Sequence, residues 1–87
     1  MADELTADEI AAHFSAMDDS VTLINATVAD DSDALEQFGT AAEVKLMVTR
    51  NTDHLELQAE KQWYKDSSKT KTSYTKAITD GKAYVAG

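Results

Sequence analysis

From residue 7 onward the apolar side chains Ala7, Ile10, Phe14, Met17, Val21, Ile24 and Val28 recur at spacings of 3, 4, 3, 4, 3 and 4. That heptad stripe puts one apolar line along one face of a helix. Thr6 precedes it and Glu9 follows three residues later, a T-x-x-E capping box in which hydroxyl and carboxylate each satisfy a backbone N–H that lacks a helical partner. The pattern predicts a helix from Ala7 to about Ala29, roughly 33 to 35 Å long at 1.5 Å per residue. Residues 20–28, "SVTLINATV", are rich in β-branched side chains and read locally as a strand. An apolar register kept over three heptads outweighs that local preference.

"ADDSDALEQFGT" then predicts a turn. Asp30, Asp31 and Ser32 are capping and loop residues, Leu35 and Phe38 form a short amphipathic turn, and Gly39 ends it in a left-handed conformation. A second T-x-x-E box, Thr40 with Glu43, opens a helix expected from Ala41 to about Lys65. Its stripe is Ala41, Val44, Val48, Thr52 or Asn51, Leu55, Ala59 and Trp63. A competing α+β reading pairs "EVKLMVT" with "HLELQA" as a hairpin within residues 43–59, turning at "RNTD". "KDSSK" is a polar connector. After it, a short helix is expected from a Thr72 cap to a stop at Gly81, with Tyr74, Ala77 and Ile78 facing inward and Tyr84 and Val85 packing back on the hairpin. The expected architecture is all-α, a single domain over residues 1–87: an antiparallel helical hairpin with a short C-terminal helix, completed within the chain or by oligomerisation.

Composition supports helix, since the 87 residues include no proline and only three glycines. So short a chain buries only about 60 to 65% of the surface its unfolded form exposes, and its core is modest. Without cysteine it has neither a disulfide framework nor a thiolate metal cage, which excludes a zinc finger. The N-terminus has no basic segment followed by a long apolar run, so no signal peptide or membrane span is expected. The charge is divided. Residues 1–43 carry eleven carboxylates and no Lys or Arg, and residues 44–87 carry five acids and eight bases, so a net −8 is split into −11 and +3. The halves attract each other within one chain or between subunits, and direct nucleic-acid binding is not expected of so acidic a molecule.

The stretch closest in appearance to a site is "RNTDHLELQAEKQWY", residues 50–64. His54 and Gln58 share a helix face, but Gln is a poor metal ligand and Asp53 points elsewhere. Glu56 and Glu60 form their own pair on another face, as partners for Lys61 and Lys65. No nucleophile is positioned by a base and no glycine-rich phosphate loop is present, so no catalytic residue, metal ligand or cofactor is assigned. Asn51, His54 and Gln58 remain as a polar strip beside the Val48–Leu55 seam, either bonded across to another helix or, if exposed, the first place to look for a bound partner. Glu9 and His13 are read as an exposed i, i+4 pair rather than a pH sensor. The stripe Ile10, Phe14, Met17, Val21, Ile24, Val28 is read as core or as an oligomer face.

"RNTDHLELQAEK" (50–61) and "SYTKAITDGKAYV" (73–85), with "DDSVTLINATVA" (18–29) before them, resemble a pattern in small uncharacterised proteins encoded by marine tailed bacteriophages, cyanophage-like in character. The resemblance covers about half of the chain. It implies a phage origin, a helical second segment, and a place in the cytoplasm of an infected bacterium or in the virion; it brings no catalytic residues. Trp63-Tyr64 and the lysine-rich connector depart from the pattern. The expected function is non-enzymatic: a small acidic helical protein acting through protein–protein contacts, with itself or another protein, as an accessory or structural component. The alternative is a DNA-mimic-like inhibitor of a host nucleic-acid-binding protein, its carboxylates imitating phosphates.

Overall fold

A computed structural model describes residues 5–87, so the acids Asp3 and Glu4 lie outside the described residues. The chain is all-α, with helices α1 (Ala7–Ala29), α2 (Ser32–Phe38), α3 (Ala41–Ala59), α4 (Gln62–Asp66) and α5 (Thr72–Ala86). Both Thr hydroxyls cap their helices, with the reciprocal carboxylate bond made at Glu9 but not at Glu43. The Thr6 hydroxyl accepts from the Glu9 N–H at 3.1 Å while Glu9 Oε1 accepts from the Thr6 N–H at 2.9 Å, and the Thr40 hydroxyl accepts from the Glu43 N–H at 3.2 Å. Gly39 closes α2 at φ +88, a conformation costly for any residue with a Cβ.

The strand alternative is overturned at residues 43–59, which lie within α3; among the described residues there is no strand. Likewise "SVTLINATV" stays helical. Its Thr22 and Thr27 hydroxyls donate to the carbonyl oxygens of Asp18 and Leu23 one turn back, at 3.0 and 2.8 Å, which satisfies them inside the helix.

Contacts fix the helix directions. Phe14 of α1 meets Trp63 and Tyr64 beyond the end of α3, Ser20 meets Asn51 at its middle, and Leu23 and Ala26 share a groove with Met47 near its start. So α1 and α3 are antiparallel. Tyr74 meets Phe14, Gly81 meets Ile24, and Tyr84 reaches Asp31, so α5 runs alongside α1 in the same direction. The C-terminal helix that accompanies the hairpin packs against α1 and α3 alike, and it runs on to Ala86.

The core holds Phe14, Met17, Ile24, Leu55, Tyr64, Tyr74 and Ala77, with Val44 and Val48 buried at the other end. Of the α1 stripe, Phe14, Met17 and Ile24 are buried, Ile10 and Val21 are half-buried, and Val28 is 39% exposed. The buried line runs Phe14, Met17, Ser20, Ile24, Thr27. Its spacings of 3, 3, 4 and 3 are on average shorter than the 3.5 of a heptad stripe, so the buried face turns progressively toward Ser20 and Thr27 and leaves Val28 outside.

Two helix ends differ from expectation. The second helix stops at Ala59 instead of about Lys65: the N–H groups of Glu60 and Lys61 bond to the carbonyls of Leu57 and Gln58, and Lys61 adopts an extended conformation (ψ 145) before α4 begins. The break turns both rings onto α1. Gly81, expected as a stop, is instead a buried residue in the middle of α5, which opens at Thr72 behind Lys71 rather than being capped by Thr72. A Cβ on Gly81 would lie 2.3 Å from Thr52 Oγ1 and 3.5 Å from Ile24 Cγ2. The missing side chain lets α5 close on α3.

This contact yields a double-mutant prediction. Gly81→Ala should destabilise by about 1 to 3 kcal/mol despite the better helix propensity of Ala, because Thr52 is β-branched and stiff. In a Thr52→Ala background, where the Thr52 Cβ would be an ordinary 3.5 Å away, the same change should gain up to ~1 kcal/mol. Urea denaturation of the four proteins measures the reversal of sign; equal effects in both backgrounds would refute the contact.

Candidate functional site

The α3 strip meets α1 at one polar node. Ser20 lies on the core face of α1 between Met17 and Ile24, and its hydroxyl is 2.9 Å from Asn51 Oδ1 and 2.8 Å from His54 Nδ1. The Asn51 amide is oriented by its Nδ2, which donates to the Met47 carbonyl oxygen at 2.9 Å. A hydroxyl has one proton to give. With Asn51 Oδ1 able only to accept, the consistent chain is His54 Nδ1–H to Ser20 Oγ, Ser20 O–H to Asn51 Oδ1, and Asn51 Nδ2–H to Met47 O. Nucleophilic activation needs the histidine to accept the serine proton, and here the imidazole donates. Ser20 and His54 are thus within bonding distance but aligned in the wrong sense for a nucleophile and its base.

Asn51 and His54 are half-buried and committed to Ser20; Gln58, one turn on, is half-buried and outside the relay. These residues bridge helices. Asp53 is exposed on another face, and Glu56 pairs with Lys82 of α5 at 2.7 Å rather than with Lys61 or Lys65. Among the described residues, no group of three or more His, Asp or Glu side chains is placed to hold a metal ion.

A second node has no counterpart in the sequence reading. The Tyr74 hydroxyl donates to Asp18 Oδ1 at 2.6 Å, and Lys69 Nζ lies 3.9 Å from Asp18 Oδ2 while sitting 5.2 Å above the Phe14 ring and 5.9 Å from the Tyr74 ring. Phe14, Trp63, Tyr64 and Tyr74 form a continuous aromatic cluster, with His13 stacked on Trp63 at 5.1 Å. The only hint in the chain is the lysine-rich connector beside these aromatics, since Asp18 looks like any solvated helix acid. Burial holds the Tyr74 hydroxyl far above the usual tyrosine value of 10.0, reinforced by its bond to Asp18, the carboxylate charge and Tyr64. Tyr64 is raised by burial, and Tyr84 by burial and its 2.9 Å bond to Asp31. Glu9 is held low mainly by the Thr6 backbone N–H and hydroxyl, with the neighbouring His13 contributing least, so its carboxylate serves the cap.

A groove of about 420 Å³ lies between α1, α2 and α3. Leu23, Ala26, Ala34, Phe38 and Met47 give it apolar walls, and Asp30 and Asp33 stand in its lining. Leu23 is 47% and Phe38 39% exposed there.

No family model, curated protein or solved structure matches the chain. What the fold and these nodes define is a class, the small all-α bundle. No helix among the described residues is long and apolar enough to cross a membrane.

Ser20→Ala should cost about 1 to 3 kcal/mol by leaving Asn51 Oδ1 and His54 Nδ1–H without their shared partner. Imidazole nitrogen NMR should find His54 protonated at Nδ1 in the parent and mixed in the variant; a parent protonated at Nε2 alone would reverse the relay.

The tyrosines give a pH dependence. Their folded values lie above the unfolded one, so their stabilising contribution is intact below pH ~10 and is lost as pH rises beyond it, where unfolded chains release protons that the folded protein retains. Denaturation midpoints should fall above pH ~10, and Tyr74→Phe should flatten that decline; an unchanged slope would show that Tyr74 is not the group responsible.

Proposed function

We propose that the protein is a non-enzymatic binding module that takes a basic amphipathic segment of another protein into the α1/α2/α3 groove. The observation that carries this reading is the pairing of exposed apolar side chains, Leu23 and Phe38, with Asp30 and Asp33 in a half of the chain that has no Lys or Arg. Large apolar side chains kept at a surface and flanked by like charges match a ligand with an apolar stripe and positive flanks. Asn51 and His54, the first candidates for partner contact, are occupied inside the bundle.

The DNA-mimic reading draws on the same acids and is weaker. Asp18 of the first Asp doublet is tied to Tyr74, and in the second Asp31 is tied to Tyr84 while Asp30 accepts from Ser32. Half or more of each doublet is thereby engaged in the fold. The resemblance of residues 18–29, 50–61 and 73–85 to small marine-phage proteins supports giving the module an accessory or structural role in an infected bacterium or its particle.

The test uses a helical Leu/Lys peptide of about 15 residues, long enough to present a stripe, and a scrambled peptide of equal charge. By titration calorimetry the striped peptide should bind at least tenfold more tightly, and Leu23→Asp or Phe38→Asp should remove about tenfold or more of that affinity. Equal binding of both peptides, or indifference to both substitutions, would sink the groove.

A further inference from the structure

The outward side of α3 carries a second pattern. Leu46, Arg50, Asp53 and Leu57 follow one another at spacings of 4, 3 and 4, a single line along about three turns. All four are exposed, Leu46 by 41% and Leu57 by 54%. Arg50 is the only arginine of the chain, and among the described residues neither it nor Asp53 is in an ion pair.

The order is apolar, positive, negative, apolar. Reversed, it is the complement of itself: an antiparallel copy sets Leu46 opposite Leu57 and Arg50 opposite Asp53, and two-fold symmetry makes each pair occur twice. In heptad terms this is the a-to-d' pairing of an antiparallel two-helix seam. A surface that complements its own reversal is what an isologous contact requires.

We propose that this face docks a second copy of the chain, forming a two-fold dimer through antiparallel α3 helices with reciprocal Arg50–Asp53 pairs flanked by Leu46–Leu57 contacts. The charge order selects the occupant: a stripe evolved for a partner of one sign needs one sign of charge, whereas alternating charges between equal apolar ends fit a reversed copy of themselves. Arginine, with its planar fork of donors, suits a carboxylate across an interface. Glu43 and Glu60 continue the line and would face each other across each end, which limits the seam to its central turns. Such a contact is small, below the area of a standard stable interface, so the dimer is weak and depends on concentration. It shares no residue with the Leu23–Phe38 groove, and its outcome is independent of peptide binding there.

Sedimentation equilibrium of the full chain and two charge reversals tests the register. The parent should associate reversibly to a dimer. Arg50→Asp places two acids in each half of the seam and Asp53→Arg two bases, so each variant alone should weaken dimerisation at least tenfold. An equimolar mixture of the two variants should restore it, because each then supplies the charges the other lacks. Both substitutions are at exposed positions, and circular dichroism should find the variants as helical as the parent. A parent that stays monomeric at millimolar concentration, single variants that dimerise as the parent does, or a mixture that fails to recover would each overturn the proposal.

Discussion

The approach of α5 to α3 at Gly81 is the constraint on which the bundle rests. Three helices can share one thin core only where a pair comes close enough for the third to touch both, and a chain of 87 residues has few large apolar side chains with which to fill a wider gap. At Gly81 the absent Cβ leaves room for Thr52 of α3 and Ile24 of α1 together. The Thr52 hydroxyl is buried there without a hydrogen-bond partner, in contrast to the neighbouring Thr49, which donates to the Lys45 carbonyl. That orphaned oxygen is a local cost of close packing.

From this contact the rest of the arrangement follows. With α5 held alongside α1, Tyr74 is carried to Asp18 and Tyr84 to Asp31, so the acidic first half of the chain is tied to the C-terminal helix by tyrosine hydroxyls and to the connector before it by Lys69. The opposition of charge between the halves is thus only partly used as ion pairing. One lysine, Lys69, spans the Asp18 carboxylate and the aromatic faces of Phe14 and Tyr74, and Lys82 bridges α5 to α3. Polar groups in the seam, Ser20 above all, add little net stability but penalise alternative registers, since sliding α1 against α3 would strand Asn51 and His54.

The surface divides by chemistry. In the groove beside α2 the charged lining residues are both acids, whereas the outer line of α3 mixes both signs. A single-sign flank and a self-complementary one call for different occupants, which is why a basic segment suits the first and a second copy the second.

The amino-acid sequence by itself determined the all-α class, the first helix to the residue, both threonine caps and the left-handed Gly39, because these depend on hydrogen bonds and apolar spacing within a few residues. It also placed Asn51 and His54 beside the core seam. Only the tertiary structure decided the rest. Whether a glycine ends a helix or admits a neighbour depends on what lies across from it, and for Gly81 that is Thr52, 29 residues earlier in the chain. No local breaker marks the break after Ala59, yet it carries α4 to where Trp63 and Tyr64 both meet Phe14 of α1. Ser20 is buried and Val21 only half-buried because the partner surface offers Asn51 and His54 of α3 to the Ser20 hydroxyl. The direction of the His54 proton follows in turn from a serine that is distant in the chain and adjacent in the fold.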